Sequence, residues 1–214
     1  MKITGQELDD WLNDLGKILM DIYISLNNAK YLLNEKPQKE ESQLNHGFFR
    51  YYPIQCRFIL VIQISKILDD SKNQKRNIFK LFNRLENQKY DPILNQKVTD
   101  SIFKNRKNLI EEINKLREEF KELEAIKKKV VTARNEVYAH SDPNKNSILF
   151  TYADLETLTG YCRKAYQTLY GGFYDIEFLV HKTVNWNVKD IVKTISVLKD
   201  SSLFSRDMDI KKNK

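Results

Sequence analysis

Residues 109–140, LIEEINKLREEFKELEAIKKKVVTARNEVYAH, decide the architecture. Leu109, Ile113, Leu116, Phe120, Leu123, Ile126, Val130, Ala133 and Val137 step by threes and fours, so one side of a helix is apolar and charged residues fill the other. No Gly or Pro interrupts the chain from Gln96 to His140, which predicts one long helix or two joined by a slight break. Ser141-Asp142-Pro143-Asn144 then supplies a stop.

The helical period continues outward in both directions. Thr4 with Glu7 forms a capping-box pattern, and Leu8, Trp11, Leu12, Leu15, Ile18, Leu19, Ile22 and Leu26 predict a helix from about Gly5 to about Asn34. KPQKEESQ reads as a polar loop around Pro37. GFFRYYPIQCRFILVIQISKILDD reads as a core helix, apolar over much of its circumference, with Pro53 predicting a kink or a late start. Gln74 to about Gln88 is a shorter amphipathic helix with Lys75, Arg76, Lys80 and Arg84 outward, ended by Asp91-Pro92. Downstream, Ser147 to Phe150 is expected to be extended, and Thr151 with Asp154 opens a helix from Ala153 toward His181, bent at Gly171-Gly172. Asn187 starts a last helix through about Leu198. The fold class is therefore all-α, a bundle of about five to seven helices in a single domain over residues 1–205, followed by a polar basic tail over 206–214.

Composition agrees with a helical globule: 41% hydrophobic and 30% charged residues with only six Gly and four Pro leave few turn residues for a strand-rich sandwich. A net charge of +7 favours a polyanionic partner, although the abundance of Lys, Asn and Ile also fits AT-biased coding with no such partner. Cys56 and Cys162 lie far apart, without the spacing of a disulfide framework or a zinc site, and imply a reducing compartment. MKITGQELDDWLNDLG is acidic where a signal peptide needs an apolar run, and Phe58 to Leu68 is too short to span a bilayer. A cytoplasmic protein with no membrane partner is expected.

The chemistry concentrates in Arg134-Asn135-Glu136-Val137-Tyr138-Ala139-His140, at the end of the long helix. A histidine in a last turn meets the negative end of the helix dipole, which favours its protonated form and sets its charge change near neutral pH. His140 and Arg134 are the pair that metal-free RNA cleavage requires, one to move protons and one to hold a fixed positive charge at the phosphate. On a regular helix they lie about 120° apart in angle and roughly 9 Å apart along the axis, so two copies related by a two-fold axis would form a shared cleft more readily than one. An Arg and a His at a helix end can also simply cap carbonyls, and the bare spacing discriminates little. Tyr138, nearly on the face of Arg134, can contact substrate or be a half-buried aromatic. Asp142 can orient His140 or cap the turn. Lys127 and Lys128, in a run of three lysines, can guide RNA or form a solvated face. His46 and His181 read as structural. No phosphate loop, nucleophile pattern or metal-ligand set is present, so no cofactor and no metal are expected.

ARNEVYAHSD, with Asn after Arg and Ala-His-x-Asp closing the helix, resembles the motif of the HEPN superfamily. FILVIQISKILDDSKNQKRNIFKLF resembles the part of the abortive-infection, AbiU-type HEPN proteins where a buried helix ends near Leu-Asp and a short helix follows. Together these resemblances cover much of the chain, from about Phe48 to Asp142, in the expected order. The resemblance implies a two-fold homodimer with Arg134 and His140 of both chains facing one groove. It implies a metal-independent endoribonuclease leaving a cyclic phosphate and a 5'-hydroxyl, acting as a toxin or phage-defence effector. His140 would transfer protons, Arg134 would hold the scissile phosphate and Asn135 would orient one of them. Such toxins can be silenced by an antitoxin such as a nucleotidyltransferase that modifies a tyrosine after the His; Tyr138 precedes it, so that mechanism does not carry over. The alternative is a non-catalytic HEPN module that binds nucleotide or RNA or supports a partner enzyme. A third reading is an interaction bundle assembled through the long helix, at Leu116 and Phe120.

Overall fold

Apart from two short strands, each described element is a helix, as the hydrophobic period requires. The computed structural model describes residues 2–45, 47–71, 75–135, 150–179 and 187–198. Its helices are α1 (Gly5–Leu33), α2 (Gln38–Leu44), α3 (Gly47–Leu68), α4 (Ile78–Asn87), α5 (Pro92–Asp100), α6 (Arg106–Lys121), α7 (Glu124–Ala133), α8 (Tyr152–Tyr174) and α9 (188–198). Strands β1 (Lys2–Ile3) and β2 (Lys89–Tyr90) pair in parallel, Lys2 opposite Lys89 and Ile3 opposite Tyr90. No described helix is long and apolar enough to cross a membrane.

The chain divides into two compact units, one of residues 1–23 and 59–182, the other of 24–58 and 183–214. In the first unit, Leu8, Leu12, Leu15, Leu60, Ile64, Phe82, Leu109, Leu155 and Leu158 are essentially inaccessible to water. Phe120 of α6 links its neighbours there, with ring centroids 4.6 Å from Phe79 of α4 and 4.8 Å from Tyr161 of α8. Leu116 and Phe120 are thus buried within the chain itself. In the second unit, Leu32, Phe49, Val188 and Val192 form a small core that Tyr31, Leu44 and Tyr52 cover.

The capping signals mark real helix ends. Thr4 and Glu7 exchange their backbone amides and side chains, 3.0 and 3.1 Å, and Thr151 and Asp154 do the same at 2.7 and 3.1 Å. Thr151→Ala is expected to cost about 1 kcal/mol and to lower Tm by about 2–4 °C in a thermal melt. An unchanged Tm would show that the α8 start is held by something else.

Four segments depart from the sequence reading. Within the described part of the expected long helix, residues 96–135, the chain breaks: α5 ends at Asp100, Lys104 takes a left-handed φ of 66°, and Asn105 starts α6 by accepting the Asn108 amide at 3.0 Å. Burying Phe103 drives this break. Its ring occupies the space that a Cβ on Gly172 would need, and the Ile102 amide donates to the Gly172 carbonyl at 3.0 Å. The stretch around Pro37 is the helix α2 rather than a loop, because the Pro37 carbonyl accepts the Glu40 and Glu41 amides at 2.9 and 3.0 Å and the Tyr31 hydroxyl holds Glu40 at 2.6 Å. Pro53 lies inside α3, so of the kink or late start expected there, the late start does not occur. Helix α8 runs through Gly171-Gly172 and ends earlier than expected, at Asp175 in left-handed geometry. The expected extended run from Ser147 lies outside the described residues up to Phe150.

Both cysteines are free and buried. Burial pushes the Cys56 thiol up to about 11, and raises the fully enclosed Cys162 thiol still further. Because the thiolate is the reactive form, iodoacetamide at pH 8 is expected to label neither cysteine in the folded chain and both in denaturant. Rapid labelling of either one under native conditions would contradict this packing. Their contribution to stability is complete below the ordinary thiol pKa and falls as pH rises toward the folded values.

Candidate functional site

Arg134 follows α7 directly, and at residues 134–135 the winding widens from α to π type. One guanidinium nitrogen of Arg134 donates to Asp69 Oδ2 at 3.2 Å, and Nε donates to the Asn135 side-chain oxygen at 3.0 Å. The Arg134 side chain is 25% exposed and that of Asp69 only 8%. The partner is thus a nearly buried carboxylate, and the cation keeps an open side. Two of the five N–H donors of Arg134 are engaged among the described residues.

Asp69 is itself fixed from several directions. It directly follows α3, where its amide donates to the Ser65 carbonyl at 2.8 Å. The Ser71 amide and hydroxyl both donate to its carboxylate at 3.0 Å, and Asn77 donates to its backbone carbonyl at 2.7 Å. Asn77 is completely buried, caps α4 by accepting the Lys80 amide at 2.8 Å, and accepts the Trp11 indole N–H on its carbonyl at 3.2 Å. These bonds make a rigid mount for Asp69, the group that grips Arg134. The next acidic residue, Asp70, pairs with Lys127 at 3.3 Å.

Of the residues expected at the site, Arg134 and Asn135 are brought together, with Asn135 exposed. Lys127 lies with its ammonium near the rings of Phe79 and Phe120, 5.9 and 5.8 Å to the centroids, so its charge is used within the fold. Lys128 is exposed. Tyr138, His140 and Asp142 lie outside the described residues, as do His46 and His181. Sequence reasoning does not single out Asp69 or Asn77 as functional. Asp69 stands in the Leu-Asp string, and Asn77 before Ile78 is an ordinary N-cap signal.

Two cavities of the first unit carry opposite charge. One, of about 590 Å³, is lined by Ile102, Phe103, Glu111, Glu112, Asp175 and Glu177, the wrong sign for a polyanion. The other, of about 490 Å³, opens beside Trp11 among Lys75, Arg76, Lys80 and Arg84.

A model of the HEPN-type family described as AbiU2 matches residues 5–191. No curated protein and no solved structure matches the chain.

Proposed function

The chain belongs to the AbiU2 family of HEPN proteins, and from that premise we propose that it is a metal-independent endoribonuclease acting in abortive infection, with Arg134 and His140 as its working pair. The observation that carries the reading is the Arg134–Asp69 contact, 3.2 Å long, between the two segments that resemble the family. It holds the arginine by one edge and leaves the remaining N–H groups to meet a phosphate.

In this reaction His140 accepts the proton of an RNA 2'-hydroxyl as that oxygen attacks the adjacent phosphorus. The bond from phosphorus to the 5'-oxygen breaks, and the departing oxygen takes a proton. The products are a 2',3'-cyclic phosphate and a 5'-hydroxyl. Arg134 stabilises the charge that builds on the non-bridging oxygens, and Asn135 sets the guanidinium through Nε. Two chains related by a two-fold axis supply the groove, in the cytoplasm, where an adjacent antitoxin such as a nucleotidyltransferase would restrain the activity.

The test is incubation of the purified chain with total RNA in EDTA. New ends that a polynucleotide kinase labels without prior phosphatase treatment, opposite cyclic-phosphate ends, are the expected result. Intact RNA under all conditions would overturn it. One observation favours the second reading, a non-catalytic RNA- or nucleotide-binding module: Asp69 already balances the charge of Arg134. Binding that depends on Arg134 without any new ends would select that module.

A further inference from the structure

The cavity beside Trp11 is built from three parts of the sequence. Lys75 and Arg76 come from the segment before α4, Lys80 and Arg84 are one turn apart on α4, and Glu7 and Trp11 come from α1. Four cations thus face a single lining carboxylate, Glu7. That carboxylate is engaged: the Thr4 amide, then the Arg84 guanidinium, hold its carboxyl below the usual range.

The cations are braced rather than loose. Arg84 contacts Glu7 at 3.1 Å and sits over the Trp11 ring at 5.6 Å, and Arg76 is held by Asp14. Lys80 donates to the Ser71 carbonyl at 2.9 Å. The indole of Trp11 is 5% exposed and supplies an apolar floor, which strengthens the field of the charges above it. Because the guanidinium of Arg84 covers that ring, the ring offers no free face for a base to stack on. The chemistry on offer is phosphate recognition without base reading.

The same lysine ties this cavity to the candidate site. Lys80 bonds Ser71, Ser71 bonds Asp69, and Asp69 grips Arg134, three hydrogen bonds in series at 2.9, 3.0 and 3.2 Å. We propose that the cavity is a phosphate subsite that holds the backbone of the same RNA strand whose reacting phosphate Arg134 meets. This assignment rests on the ribonuclease reading. RNA would be held there without regard to sequence, and the acidic cavity lined by Glu111 and Glu112 would repel it.

The experiment measures anisotropy of a fluorescein-labelled single-stranded RNA with 2'-O-methyl sugars, which the protein can bind but not cut. The full chain carrying Lys75→Glu with Lys80→Gln is compared with one carrying Lys107→Glu with Lys121→Gln, the same charge change on the exposed face of α6. Circular dichroism checks that both are folded. At ~0.1 M salt the cavity variant is expected to bind about tenfold more weakly than the control variant. The slope of log affinity against log salt should fall by about 0.7 for each phosphate that the variant no longer neutralises. Equal weakening in both variants would overturn the subsite. So would displacement of the RNA by adenosine monophosphate or inorganic phosphate at matching phosphate concentration, which would indicate a pocket for a small free anion.

Cleavage of the unmodified RNA separates this inference from the reading beneath it. If wild type cuts in an Arg134-dependent way while the cavity variant binds like the control, only the subsite fails. If Arg134→Ala cuts as wild type does, the ribonuclease reading fails.

Discussion

Arg134→Ala and His140→Ala are each expected to abolish RNA cleavage within the sensitivity of a gel assay. Losing the proton-transfer group is expected to lower the rate by about 10²–10⁴-fold. Losing the fixed cation costs about 10²–10³-fold. The double variant should be little worse than the weaker single, since the two residues act in one step. Growth arrest on expression should vanish in both variants, provided that they accumulate as folded protein. Mixing the two defective proteins tests the two-chain groove directly. If each site takes Arg134 from one chain and His140 from the other, random pairing restores about a quarter of wild-type activity. If both residues act within one chain, mixing restores nothing. Equal RNA decay from wild type and both variants would remove the catalytic assignment altogether.

The second large effect is expected at Asp69. Asp69→Ala removes the carboxylate that receives Arg134 and both Ser71 donors, and it leaves a guanidinium with no other anion beside it among the described residues. Breaking a buried pair costs about 3–5 kcal/mol. Arg134 is a quarter exposed, so water recovers part of that, and a loss of about 2–3 kcal/mol is expected. A Tm lower by about 4–12 °C follows for a chain of this size. Asp69→Asn keeps the shape and is expected to cost less stability, yet still to lower cleavage by about tenfold because Arg134 is no longer held in register. Assayed well below both melting points, the Asn variant should lose kcat rather than gain KM. Tighter RNA binding by Asp69→Asn would mean instead that the carboxylate masks the arginine, and would overturn the positioning role.

Much of the fold is legible in the sequence because helices announce themselves through period and caps. Thr4-Glu7 and Thr151-Asp154 form the reciprocal bonds that their spacing predicts, and Leu8, Trp11, Leu12, Leu15, Leu19, Ile22 and Leu26 of α1 are buried, with Ile18 half-buried. The break between α5 and α6 is not legible. It depends on Phe103 finding space beside Gly172, a contact between residues far apart in sequence that no local pattern encodes. The start of α2 at Pro37 is ambiguous by nature, because proline near a polar run signals a loop as readily as a first helical turn.

The site divides along the same line. Arg134 and Asn135 stand out because they open a recognisable string at the end of an apolar-periodic run. Asp69 does not, since a carboxylate after a helix is common, and its role is set by a partner 65 residues away. The family resemblance places both segments in one chain without saying that they touch.

The Asp69–Arg134 contact also constrains how the family can drift. A lineage that lost the arginine would keep a nearly enclosed carboxylate with no counter-charge, so selection would favour its exchange for a neutral residue. A lineage that lost the aspartate first would loosen its arginine before abandoning it. The two positions should therefore be retained together or decay together, and a homologue with one and not the other would mark a chain caught between cutting RNA and merely holding it.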